Sequence, residues 1–175
     1  MVFGMSLATF TLIHVIISLI GIGSGLIVLF GMFAGKRLDG MTALFLVTTV
    51  LTSVTGFGFP IAHVTPGIIL GILSLVVLAI AIPARYSFQM AGKWRTIYVV
   101  TAVIALYFNC FVLIAQSFQK VPALHALAPK GNEPPFAIAE GILLVLFIVA
   151  GVLAVKKFHP AAEINATRAA RGMNS

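Results

Sequence analysis

Charge is what this sequence has least of. Only 9% of its 175 residues are Asp, Glu, Lys or Arg, and four of those are acidic. Soluble domains carry about 25% charged residues, because a core must be wrapped in a water-facing surface. A chain this poor in charge cannot wrap itself in that way. With 61% hydrophobic residues as well, it is neither an ordinary soluble enzyme nor a disordered tail. Cysteine is almost absent too. The single Cys110 has no partner within the chain, which excludes a disulfide scaffold. It lies in an apolar run and reads as a small buried side chain. The short metal-binding spacings Cys-x2-Cys, His-x3-His and His-Glu-x2-His do not occur.

An integral membrane protein is left, consistent with a mean hydropathy of +1.14. A membrane span needs about 20 mostly apolar residues. Five runs meet that need, at about 7–34, 41–64, 66–83, 96–118 and 136–155. Polar or Pro/Gly-containing breaks separate them: Gly35 to Gly40, Thr65-Pro66-Gly67, Arg85 to Arg95, and Gln119 to Pro135. Lys156-Lys157 stop the last run. Helices satisfy their own backbone hydrogen bonds in lipid, and the alternation of a membrane barrel is missing. The expected fold is therefore an all-α transmembrane bundle of five spans. It forms a single transmembrane domain, 1–155, followed by a cytoplasmic polar tail, 156–175. The first run is read as a retained span, because it lacks a basic n-region and is too long for a secretory signal.

The few charges give an orientation. Lys36, Arg37, Arg85, Lys93, Arg95, Lys156, Lys157, Arg168 and Arg171 fall in breaks that share one side, nine of the eleven basic residues. Lys120 and Lys130 fall on the other. Basic residues collect on the cytoplasmic side of membrane helices. The N-terminus is therefore expected outside and the C-terminus inside. The same scatter through short loops, with no basic stripe, argues against nucleic acid as a partner. The partner expected is the lipid bilayer. Gly21/Gly25 and Gly67/Gly71 show small-xxx-small spacing, which lets helix backbones approach closely. Such faces suit packing within the bundle, self-association or another membrane subunit.

Polar groups within the spans are few. Span two carries Thr48, Thr52 and Thr55 on one side, flanked by Thr49 and Ser53. These hydroxyls suit an inward packing face or a hydroxyl-lined pathway. Asn109 and Gln116 lie seven residues apart on span four. Glu140 is the one formal charge well within a span, and an intramembrane carboxylate points to function or to a polar partner. His14, His63 and His125 fall on the predicted outer side, as does Glu140. Together with Asn109 and Gln116 they are the candidates for one outward-facing polar pocket. Such a pocket would relay protons or bind a small solute. A second reading makes His14, His63 and His125 ligands of a haem iron or a transition metal. A third is a structural or assembly subunit without a site of its own. No Ser or Cys carries an activating motif, so a hydrolase is not expected.

The run from Gln116 to Phe136 contains Pro122, His125, Pro129 and Glu133-Pro-Pro-Phe136. Its apolar residues predict a lid or a short interfacial helix. With its flanking helices, this run resembles small uncharacterised bacterial inner-membrane proteins. The resemblance implies a bacterial inner membrane. It implies no activity, and no residue role is carried over from it.

Overall fold

A computed structural model describes residues 4–60 and 66–160. Every regular element among them is a helix: α1 (Leu7–Phe33), α2 (Asp39–Gly56), α3 (Pro66–Tyr86), α4 (Lys93–Lys120), α5 (Pro122–His125) and α6 (Pro134–Lys157). All except α5 are long and apolar enough to cross a membrane. The chain is thus an all-helical, multi-pass membrane protein.

Local chemistry sets the helix ends. Ser6 Oγ accepts from the Thr9 backbone N–H at 3.1 Å and starts α1. The far end of α1 closes through Lys36 N–H to Gly31 O at 2.8 Å and Gly35 N–H to Met32 O at 3.1 Å. That closure needs a left-handed residue, which Gly35 supplies at φ +69°. Pro122 and Pro134 open α5 and α6, where a missing N–H costs nothing.

Two differences from the expected boundaries turn on proline. The second run was expected to reach 64, but α2 ends at Gly56. Phe57-Gly-Phe-Pro60 follows, and Pro60 disfavours helix at the residue before it. The third run was expected to stop at 83, yet α3 passes through Pro83 to Tyr86. Pro83 keeps its own carbonyl satisfied, accepting from the N–H groups of Ser87 and Phe88 at 2.9 Å each. Apolar surroundings and neighbouring helices tolerate such a proline.

α4 is the axis of the bundle and touches all five other helices. Its buried face, including Val99, Ala102, Ala105 and Leu106, packs with Phe45 and Leu46 of α2 and Leu78 and Ala81 of α3. α1 approaches this core through glycine. A Cβ on Gly25 would stand 2.6 Å from Leu106 Cδ1 and 2.8 Å from Phe45 Cδ2. A Cβ on Gly21 would stand 3.1 Å from Thr48 Oγ1. Their spacing therefore serves packing within this chain. α6 is the opposite case. Only Glu140 and Ala154 of its 24 residues are buried. Apart from Lys156 and Lys157 in its last turn, the rest of its surface is apolar and suited to lipid.

One end of the bundle gathers the basic residues. Arg85 is 1% exposed and pairs with Asp39 at the start of α2, which also binds Arg37 Nε at 2.8 Å. Arg85 Nη1 points at Met90 Sδ, and its guanidinium lies 5.4 Å from the centre of the Tyr98 ring. Arg95 donates to the carbonyls of Val155, at 2.9 Å, and Phe158, closing the end of α6. These ties join the ends of α1, α2, α3, α4 and α6 that carry Lys36, Arg37, Arg85, Lys93, Arg95, Lys156 and Lys157.

Candidate functional site

The predicted site residues that are described lie in the half of the bundle away from that basic end. His14 is on α1, about 10 Å from its start at 1.5 Å per residue. Its Nδ1 lies 2.8 Å from Thr55 Oγ1 on α2. The same hydroxyl lies 2.7 Å from Leu51 O. His14 and the Leu51 carbonyl thus share this hydroxyl, which joins α1 to α2. Nε2 of His14 has no hydrogen bond among the described residues. Phe59 packs edge-on against the imidazole, 5.1 Å between ring centres. Lys120, at the end of α4, is close enough to act electrostatically on His14.

Asn109 is buried on α4 and donates from Nδ2 to Thr49 Oγ1 of α2 at 3.2 Å. A polar pair of this kind, hydrogen-bonded across helices, is a familiar way to join helices in lipid. Gln116, one face-repeat further along α4, is exposed.

Glu140 lies on α6, about 9 Å from its start. It is 8% exposed, and neither carboxylate oxygen has a hydrogen-bond partner among the described residues. Its charge acts on Tyr107 and Cys110 of α4. Thr52 and Ser74 also keep buried hydroxyls without partners. Buried polar groups almost always find a partner in protein or water, so each of these is an unmet demand. A carboxylate makes the largest one.

α5 carries His125, which is exposed. Among the described residues, α5 touches only α4. The expected short helix in the loop is present, but it does not lie over α1 or α2. The loop is held by its own chemistry. Ala128 is buried, the Phe118 and Phe136 rings meet edge-on at 5.5 Å, and Glu133 accepts from the N–H groups of Lys130 and Asn132 at 2.9 and 3.1 Å. Desolvation pushes the Glu133 carboxyl up, but these and neighbouring backbone N–H groups together outweigh it. Its pKa is held below the ordinary carboxylate value.

His63 lies outside the described residues. Among the described residues, His14, Asn109, Gln116, His125 and Glu140 share one half of the bundle, yet no two of them hydrogen-bond to each other. No group of three or more His, Cys, Asp or Glu is gathered closely enough to hold a metal ion, again among the described residues. Two polar partners had a sequence signal: Thr49 and Thr55 belong to the hydroxyl-rich side of span two. Arg85 had none, because its burial depends on α3 continuing past Pro83. No protein-family model matches this chain, and no similar curated protein or solved structure was found.

Proposed function

We propose that this is a small inner-membrane protein whose outer half holds a polar site that binds or passes a small solute or protons. Glu140 is its titrating group. His14, His63 and His125 line the site, and Asn109 and Gln116 orient the ligand. The basic end faces the cytoplasm, with the N-terminus outside, the C-terminus inside and residues 156–175 as a cytoplasmic tail. The bacterial inner membrane suits this orientation and the positive-inside bias.

One observation carries the reading: a carboxylate buried within a long apolar helix with no hydrogen-bond donor among the described residues. Such a group is costly to keep and is normally kept for a proton, an ion or a ligand. His14 adds an imidazole in the same half, whose Nε2 has no hydrogen bond among the described residues. The test is proton flux into liposomes holding the full chain and an internal pH-sensitive dye, with and without candidate solutes outside. Wild type should exceed empty liposomes, and Glu140→Gln should fall to their level. Identical traces for wild type and Glu140→Gln under every condition would remove the reading.

A further inference from the structure

Just inward of Glu140, an apolar groove of about 250 Å³ runs between α4 and α6. Val103 and Tyr107 line it from α4, and Leu144, Phe147 and Gly151 from α6. The α6 residues follow Glu140 at i+4, i+7 and i+11, so they lie on one helix face with it. On α4, Tyr107 lies at the same end of the groove and feels the Glu140 charge. The groove is thus a stripe of apolar surface with a buried carboxylate at its outer end. Its α6 wall, from Leu144 to Val152, is about 12 Å long. Leu144, Ile148 and Val152 remain 44%, 57% and 50% exposed, so the groove opens sideways to lipid.

We propose that Glu140 and this groove form a binding site for a lipophilic ammonium ion. The apolar chain lies in the groove and the cationic nitrogen meets the carboxylate. The proposal rests on Glu140 being the working group of the outer site, and it names that site's ligand class. Charge complementarity selects the head, because an unpartnered carboxylate needs a donor and prefers a charged one. Aromatic neighbours favour the same choice. The Tyr107 and Phe147 rings stand 5.7 Å apart beside the site, and ring faces attract ammonium groups. The groove selects the tail, since its only polar side chain is Tyr107. A hydrophilic cation gains nothing there. A phospholipid headgroup sits too far out to reach a carboxylate about 9 Å inside its helix.

The test is saturable binding of radiolabelled dodecylammonium to the full chain in nanodiscs, with empty nanodiscs subtracted. Dodecanol and tetramethylammonium are the tail-only and head-only competitors. Wild type should bind, and neither competitor should displace the probe at equal concentration. Glu140→Gln should weaken binding at least tenfold, the scale of one charge-assisted hydrogen bond. Gly151→Leu should weaken it by filling the groove with Glu140 intact; a Cβ there meets Val103 Cγ1 at an ordinary 3.6 Å. Unchanged helical circular dichroism in both variants shows that folding is preserved. Equal binding by wild type and Glu140→Gln, or none beyond empty nanodiscs, overturns the proposal. If binding is absent while Glu140-dependent proton flux persists, only the ligand class is wrong. If the flux is also independent of Glu140, both readings fall.

Discussion

Gly25 and Gly23 sit two residues apart in α1, yet alanine should stabilise the fold at Gly23 and not at Gly25. Alanine gains about 1 kcal/mol over glycine in a helix interior, through backbone entropy. At Gly23 that gain stands alone, because a new Cβ would have nothing within 4 Å. At Gly25 the new Cβ would press on Leu106 Cδ1 at 2.6 Å and on Phe45 Cδ2 and Cε2 at 2.8 and 2.9 Å. Both neighbours are almost fully buried, at 2% and 1% exposure, so each must shift within packed surroundings to admit it. Inserting a methyl into such packing costs about 1–3 kcal/mol. The propensity gain is common to both variants and cancels in their difference. Gly25→Ala should therefore be about 1–3 kcal/mol less stable than Gly23→Ala. Reversible unfolding of both variants in the same bicelles measures this directly. Stabilities within about 0.5 kcal/mol of each other would refute the close approach of α1 to α2 and α4.

Three further outcomes are expected. A double-mutant cycle of Asn109→Ala with Thr49→Ala should give a coupling of about 0.6 kcal/mol, typical of hydrogen bonds between membrane helices; zero coupling would contradict the contact. Asp39→Asn should cost more stability than Arg85→Met in thermal unfolding. It strands a buried guanidinium, a loss of about 3 kcal/mol, whereas Arg85→Met leaves only an exposed carboxylate that water can solvate. The reverse order would show that the pair is not what joins these helix ends. The Glu133 loop should loosen in acid. A carboxyl whose folded pKa is depressed stabilises the fold above its unfolded value, and that contribution is lost as pH falls through the folded pKa. Amide exchange at Lys130 and Asn132 should therefore lose protection in acid relative to other loop amides. Glu133→Gln should show less protection at neutral pH and little of this acid dependence.

Much of the fold was legible in the sequence, and the reason is the solvent. In lipid, long apolar runs and their polar breaks mark helices almost directly, so five runs correspond to five long helices. The ends were harder to read. Pro83 looked like a terminator, but a proline within an apolar helix is tolerated when its neighbours absorb the lost hydrogen bond. Consequently Arg85 was read as a loop cation, and it is instead a buried tie between α2, α3 and α4. Within the site, residue types were visible and pairings were not. Glu140 stood out as a lone charge. What faces it depends on how α6 is rotated against α4, and α6 is apolar nearly all round, so no polar stripe records that rotation. Thr49 and Thr55 were visible as part of a hydroxyl face. Only packing assigns one to Asn109 and the other to His14.

The central claim is that Glu140 exchanges a proton within the membrane half that holds His14 and Asn109. Infrared titration of the full chain in lipid, with carboxyl-labelled glutamate, reads this most directly. Wild type should show a protonated carboxyl band that converts to carboxylate as pH rises, and Glu140→Gln should lack that component. A wild-type titration indistinguishable from that of Glu140→Gln would contradict the claim.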